Sequence, residues 1–382
     1  MKNNSEEIKD KALALHRRFK GKLATVSKIP LNNKEALSLL YTPGVGMVSS
    51  LIAKNKKLAK ELTFKANSVA VVSDGSAVLG LGNIGPEAAL AVMEGKAVIF
   101  KEFANIDAVP IVLNTQDQEK IIEIVKAISP TFGGINLEDI SAPRCFEIES
   151  RLKKELDIPV MHDDQHGTAI VTLAAIINAA KVVKKKLAGL KIVISGAGPA
   201  GVAVLKLLLK AGIKNIIVLD SHGIISKKRH NLLPYKKELA RITNPKNLAG
   251  DLDNAIENAD VFIGLSRPGA ISASHIKKMA KSAIVFAMAN PIPEIMPDIA
   301  KAAGAAIMAT GRSDFPNQIN NSLVFPGVFR GALDNKVRQI TDKMKLKAAY
   351  ALAGLVKKPN PQNIVPLIFD KRVVKTVAGA IR

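Results

Sequence analysis

The strongest constraint on this chain is the run Gly196-Ala197-Gly198-Pro199-Ala200-Gly201, set between the apolar stretch LKIVIS and the amphipathic stretch VAVLKLLLKAG. A glycine-rich turn joining a buried strand to a helix predicts a dinucleotide-binding βαβ unit. Gly196 permits the tight turn, Gly198 lets backbone N–H groups approach a pyrophosphate, and Gly201 lets helix and strand pack closely. Ala200 stands in the same turn, where the helix N-terminus offers partial positive charge to the diphosphate. The next apolar run, NIIVLD, closes on Asp220, 19 positions beyond Gly201. An acidic residue there accepts hydrogen bonds from an adenosine ribose, which leans slightly to NAD. Ser221, Lys227, Lys228 and Arg229 follow closely; they suit either the 2′-phosphate of NADP or a solvated helix end. NAD and NADP both stay open.

The remaining chain repeats the same alternation. Strands are expected at 69–72, 97–100, 110–113, 158–161, 260–264 and 283–287, with helices at 86–93, 116–128 and 168–187, and a helical start up to a break near Pro30. This rhythm predicts an α/β fold. Its 382 residues suit two or three domains. The expected division is an N-terminal α/β domain over residues 1–162 and a Rossmann-type domain over 163–382 that ends in a helical tail. No linker composition separates them, so they should pack together. The longest apolar stretch is read at 167–180, too short for the roughly 18 residues that span a bilayer. The N-terminus is charged and there is a single cysteine. Without an apolar core the N-terminus does not read as a signal peptide, and one cysteine excludes a disulfide framework. These features suggest a cytoplasmic protein without a membrane partner. The net charge of +22 invites a nucleic-acid reading. The excess is mostly lysine in scattered short clusters, without tryptophan. Arginine–aromatic interleaving is missing too, so no nucleic-acid partner is expected.

Two acidic pairs stand apart. Glu138 and Asp139 follow the glycine-containing FGGINL, and Asp163 and Asp164 lie in HDDQHG, where a strand gives way to a helix. Carboxylates from separate loops can converge on a hard divalent cation such as Mg²⁺ or Mn²⁺, and they can equally be helix caps or surface acids. His162 and His166 stand four apart, but Asp and Gln occupy positions between them, unlike a zinc-binding HExxH helix. Lys96 is read where a helix turns into an apolar strand. Desolvation or a nearby cation there would suit it to base chemistry, while a snorkelling surface lysine is the plain reading. Tyr41, before Pro43 and Gly44, reads as a packed aromatic.

Taken together, YTPGVG, VMEGKAVIFKEFANIDAVPI, LEDISAPRCFEIE, HDDQHGTAI, GAGPAGVA, MANPIPEI and ATGRSDFPNQINNSLVFPGVFRGAL resemble the successive blocks of a malic enzyme, from about residue 10 to the C-terminus. The likeness is to the short bacterial and archaeal form, without a fused phosphotransacetylase-like domain. It implies metal-dependent oxidative decarboxylation of (S)-malate to pyruvate and CO₂ with reduction of NAD or NADP, in a homodimer. By the matching blocks, it implies Lys96 as general base and Tyr41 as general acid. Glu138, Asp139 and Asp164 would hold Mg²⁺ or Mn²⁺, with Asp163 as a neighbour touching a ligand. Asn290, Asn320 and Asn321 would contact malate or the nicotinamide ribose. Larger relatives place an arginine before the GLG segment to hold a malate carboxylate; here the region reads DGSAVLGLGNIG, with Ser76 and no arginine. The competing readings are a non-catalytic Rossmann module and a dehydrogenase that does not decarboxylate.

Overall fold

A computed structural model describes residues 2–78 and 80–382. An N-terminal arm carries helices α1 (Lys2–Phe19), α2 (Lys34–Leu40), α3 (Gly44–Lys54) and α4 (Ala59–Leu62). A first αβ layer follows, built from β1 (Ser68–Ser73), α5 (Gly85–Ala104), β2 (Asp107–Val112), α6 (Gln118–Ile128), β3 (Gly134–Leu137), α7 (Arg144–Glu155) and β4 (Val160–His162). These four strands are parallel in the order β2-β1-β3-β4. Helix α8 (Asp163–Val182) leads into the second sheet. That sheet contains β5 (Ile192–Ser195), β6 (Ile216–Asp220), β7 (Gly223–Ile224), β8 (Val261–Gly264), β9 (Ile284–Ala287) and β10 (Ile307–Thr310) in the order β10-β9-β8-β5-β6-β7, parallel except for β7. Between and after them run α9 (Pro199–Lys210), α10 (Pro234–Ile242), α11 (Leu252–Ile256), α12 (Ala273–Lys278), α13 (Pro297–Ala302), α14 (Phe325–Asp334), α15 (Asp342–Gly354) and α16 (Arg372–Ala380). The strand order reverses between β5 and β8, the switch point at which doubly wound sheets open a crevice for ligands.

Helix α8 explains why the two sheets stay together. Fifteen of its residues are buried, and its apolar side chains point in every direction, as expected of a helix packed on all faces. Its residues share one continuous core with Val69 and Val71 of β1, Val202 and Leu205 of α9, and Ala348 and Leu352 of α15. The tail does not stay on its own sheet. Phe325 and Phe329 of α14 meet Phe100 of α5 edge-on, with ring centroids 4.7 and 5.5 Å apart.

Three expectations change. Residues 97–100 (AVIF) belong to α5 rather than to a strand. A short β-branched and aromatic run fits either element, and α5 buries Ala89, Met93, Ala97, Phe100 and Ala104 at helical spacing. Helix α8 starts at Asp163, five residues before the expected start. Residues 167–180 are not the longest apolar stretch in the chain, because Lys34–Lys54 is an apolar segment of 21 residues. That segment is broken at Tyr41 into α2, of 7 residues, and α3, of 11 residues. Each piece is short of a bilayer span.

Candidate active site

The acidic pairs meet because of strand register. In the parallel pair β3–β4, Leu137 lies opposite His162, so the two residues after each strand emerge side by side at the same sheet edge. Glu138, Asp139 and Asp164 each bring a carboxylate oxygen within 4.8 Å of the others, and Glu138 and Asp139 are buried. The Asp139 N–H donates to Asp164 Oδ2 at 2.8 Å, and Asn136 Nδ2 donates to Glu138 Oε2 at 2.9 Å, so the cluster is braced from both strands. The first turn of α8 holds Asp163 and Asp164, where a helix N-terminus favours negative charge. Gly167, one turn on, keeps room for them: a Cβ there would sit 1.9 Å from Asp163 Oδ1 and 2.9 Å from Asn321 Cβ.

Lys96 reaches this cluster from α5. It lies one turn from both Met93 and Phe100, on the face that α5 turns inward. Its Nζ stands 2.6 Å from Asp163 Oδ2, 3.0 Å from Glu138 Oε1 and 3.3 Å from Asn321 Oδ1, and 4.6 Å above the Phe325 ring. Asp163 thus touches Lys96 and is not one of the three residues with metal-ligand spacing.

The electrostatics follow from four carboxylates facing one amine in a shielded place. Burial pushes Glu138 up to about 7 and Asp163 up to about 6, with Lys96 opposing both, and burial raises Asp164 as well. Removing a carboxylate from water disfavours its charged form. Burial pushes Lys96 toward the neutral form, but Asp163, Glu138 and Asp164 outweigh it and raise its pKa. Burial alone therefore does not make Lys96 neutral in this cluster; the expected neutral form calls for a bound cation as well. The donor set suits a hard divalent cation: three oxygen ligands converge, and four carboxylates leave more negative charge than one ammonium balances. Among the described residues, this trio is the group with metal-ligand spacing.

The cluster opens into a cleft of about 610 Å³, an ordinary size for a small-molecule site. Lys96, Glu138, Asp139 and Asp164 line it together with Pro199 and Ala200 of the glycine turn and with Asn290, Asn320 and Asn321. The turn has the expected shape. Gly196 has φ +125°, and a Cβ there would meet Leu265 O at 2.4 Å; at Gly201 it would meet Gly196 O at 1.9 Å; at Gly198 it would meet nothing within 4 Å, leaving that backbone open. Asp220 closes β6 away from the cleft with its acceptor positions filled. Arg229 donates to Oδ1 at 2.8 Å and to Oδ2 at 3.3 Å. Lys236 donates to Oδ2 at 2.6 Å, and the His222 N–H to Oδ1 at 2.9 Å. Burial opposes these contacts, and they still hold the carboxyl down at about 2.

Tyr41 is not brought to the cleft. It ends α2 in the arm and is 67% exposed. His162 and His166 do not face a common metal either, since His166 is paired with Glu149 and Lys345 behind α8. Sequence reading misses Gly80, Thr168, Ser266 and Glu294. Gly80, Thr168 and Ser266 line the cleft. Buried Glu294 accepts from the Ser266 and Ala289 N–H groups at 2.9 and 3.0 Å, tying the loop after β8 to the loop after β9 that carries Asn290. Glu294 lies inside the quoted block MANPIPEI, and an acid between prolines after a strand is the available signal. No arginine lines the cleft among the described residues. Arg144 instead pairs with buried Asp74 at 3.0 Å.

Comparison with known proteins gives the same picture. The family model "Malic enzyme, N-terminal domain" matches residues 20–153, and "Malic enzyme, NAD binding domain" matches residues 165–381. A protein named NAD-dependent malic enzyme from Geobacillus stearothermophilus is 57% identical over 376 residues, covering 98% of this chain and 78% of that protein. A protein named NADP-dependent malic enzyme from Escherichia coli (strain K12) is 44% identical over 98% of this chain, which spans 52% of that longer protein. A solved structure described as an NAD-dependent malic enzyme from Thermotoga maritima superposes with a TM-score of 0.94 at 51% identity, covering 97% of this chain and 98% of that one.

Proposed function

The chain belongs to the malic enzyme family, and on that premise we propose that the cleft performs metal-dependent oxidative decarboxylation of (S)-malate to pyruvate and CO₂ with the residues described above. One observation carries this reading: Lys96 Nζ, the three-carboxylate cage and the glycine turn open into one cleft. When bound, the cation supplies Lewis-acid polarisation at the substrate's C2 oxygen, and the nicotinamide supplies the hydride acceptor. Lys96 takes the proton of the C2 hydroxyl. Two of the three carboxylates that keep Lys96 charged, Glu138 and Asp164, belong to the cage, so filling the cage and protonating Lys96 oppose each other. Asp163 and Asn321 hold the amine in place, and the Phe325 ring keeps water from its flank. Asn290, Asn320 and Asn321 supply neutral donors for the substrate carboxylates where an arginine is missing.

The test is absorbance at 340 nm with malate, Mn²⁺ and each dinucleotide, together with a pyruvate assay. Pyruvate equal to reduced cofactor is expected; oxaloacetate in its place would make this a plain dehydrogenase. For the cage, Asp164→Asn should raise the Mn²⁺ concentration for half-maximal activation by about tenfold or more. The amide oxygen can still accept from the Asp139 N–H, so the fold is kept. An unchanged activation constant would remove Asp164 from the ligand set.

For the dinucleotide we propose NAD with tolerance of NADP. Asp220 can accept from a ribose only by releasing one of its present donors, and Arg229 and Lys236 together outweigh its charge. Asp220→Ala frees both cations for a 2′-phosphate. The ratio of kcat/KM for NADP to that for NAD should rise about tenfold or more, in line with a new charge-assisted contact. A ratio that stays put would place the ribose elsewhere. A cytoplasmic location and a homodimer complete the proposal.

A further inference from the structure

A second cavity lies behind α8 and shares no lining residue with the cleft. Its volume is about 250 Å³, just below the ordinary range for drug-sized ligands, so it suits a small molecule. Phe146 and Glu149 reach it from α7 of the first layer, and its other walls come from α8, α9, α10 and α15. Such a place between two domains is a common one for ligands. Part of the lining is apolar: the Phe146 and Tyr235 rings, with centroids 5.3 Å apart, and Ala169, Val202, Leu207 and Leu239. The rest is charged. Lys206, Lys210 and Lys345 share it with Glu149, Glu238 and Asp342, and Lys153, 2.6 Å from Glu149, adds a fourth cation to three carboxylates. The pairs Lys206–Glu238 at 3.2 Å and Lys210–Asp342 at 2.8 Å are half-exposed, so they are weak and open to exchange. Gln165 is an independent sign of a ligand. It lines the cavity, is 5% exposed, and its Nε2 has no hydrogen-bond partner among the described residues. A buried N–H without an acceptor is costly, and such a group calls for one.

We propose that this cavity is a regulatory site for a small monocarboxylate with an apolar body, and that its occupant tightens malate binding in the cleft. The regulation, unlike the binding, rests on the malic-enzyme reading. The carboxylate accepts from Gln165 Nε2 and balances the surplus cation, while the two rings and the aliphatic side chains take the body. A neutral or cationic molecule of the same shape leaves that surplus unmet. The net charge of +22 draws small anions toward the protein in general.

Two helices serve both places. Helix α8 gives Asp164 and Thr168 to the cleft and Gln165, His166 and Ala169 to the cavity. Helix α9 gives Pro199 and Ala200 to the cleft and Val202 and Ala203 to the cavity. Tyr235 donates to Ala197 O at 3.3 Å, which links a cavity wall to the glycine turn. An occupant held between α7 on one side and α9 and α10 on the other fixes the first turn of α8 against the glycine turn before malate arrives. Less ordering then remains for malate to impose.

Benzoate is the probe, with benzyl alcohol as its uncharged counterpart. The whole protein is followed by titration calorimetry and by its KM for malate with Mn²⁺ and NAD. Benzoate should bind saturably, about tenfold more tightly than benzyl alcohol, and should lower the KM for malate about fivefold with kcat unchanged. Gln165→Met removes the N–H donor at similar volume and should weaken benzoate about tenfold. Ala203→Leu fills the cavity from α9 and should abolish both the binding and the fall in KM, with turnover in the absence of benzoate within about twofold of wild type. If that variant does not fold, Gln165→Met still decides. No saturable binding of benzoate, binding that Gln165→Met leaves untouched, an unchanged KM, or competition with malate each overturns the proposal, the last by placing benzoate in the cleft. A wild type without malate turnover overturns the malic-enzyme reading instead, while calorimetry still reads the cavity.

Discussion

Lys96→Ala is expected to reduce kcat for malate oxidation by about 10³-fold, within the range for removal of a general base, with CD spectra and dinucleotide binding unchanged. The more telling variant is Lys96→Arg. A guanidinium fits the same ion pairs with Asp163 and Glu138. It remains protonated at any working pH, so it restores charge and packing but cannot accept a proton. If Lys96 only neutralises the cluster, Arg rescues; if it takes the hydroxyl proton, Arg is as inactive as Ala. Decarboxylation of added oxaloacetate needs no proton from a C2 hydroxyl, so it should suffer less than malate oxidation in both variants. Wild-type turnover in Lys96→Arg would end the assignment of the base.

How far the sequence reveals this site depends on how local each relation is. Gly196, Gly198 and Gly201 act within one turn. Their roles are readable because a tight turn, an open backbone and a close helix–strand approach each require an absent side chain. Glu138, Asp139 and Asp164 are readable as candidates, but their convergence depends on the β3–β4 register, a relation between separate strands. AVIF reads as a strand, which puts Lys96 at the end of a helix; only the buried face of α5, continuing to Ala104, shows it in mid-helix. Its protonation is not legible at all, because Asp163 and Glu138 approach it from distant points in the chain. Tyr41 differs again. Its motif singles it out, yet nothing local shows that the arm carrying it holds it out in the open and away from the cleft lining.

The least legible feature is the support behind α8, and it carries the other large expected effect. Glu149 of α7 is buried. It accepts from the His162 N–H at 3.0 Å and from His166 Nε2 at 2.9 Å, and pairs with Lys153 Nζ at 2.6 Å. Lys345 Nζ of α15 reaches His166 Nδ1 at 3.0 Å. Residues 149, 162, 166 and 345 thus join three helices to the strand end that precedes Asp163. Burial would raise the Glu149 carboxyl, but His166, Lys153 and Lys345 outweigh it and hold it well below the ordinary range. Burial, with Lys345 and Lys153, holds His166 down at about 4 against the pull of Glu149. At neutral pH His166 is therefore uncharged, its Nε2–H donating to Glu149 and its Nδ1 accepting from Lys345, and Lys153 and Lys345 are the cations that keep Glu149 ionised. Glu149→Ala leaves the His162 N–H without its acceptor and Lys153 without its anion, while Lys345 keeps Asp342 at 3.1 Å. The cost should be about 3–5 kcal/mol, that of breaking a buried pair, with a fall in Tm of about 4–6 °C for a chain of this length. Glu149→Gln keeps an acceptor for His162 and should fall between. The sign of the pH dependence follows from the same contacts. His166 has a folded pKa below its ordinary value of 6.5, so its contribution is complete above about pH 6.5 and is lost as pH falls toward about 4. Glu149 is depressed too, so its share is present above about pH 4.5 and is lost below that. Between about pH 6.5 and 4 the His166 share is opposed by the raised Glu138 and Asp163 carboxyls, so the readable signal is the gap in melting midpoint between wild type and Glu149→Ala, which should narrow below about pH 4.5 as the Glu149 share is lost. A Glu149→Ala protein with the wild-type melting midpoint and the same acid profile would show that α8, and the carboxylates at its first turn, are held by packing alone.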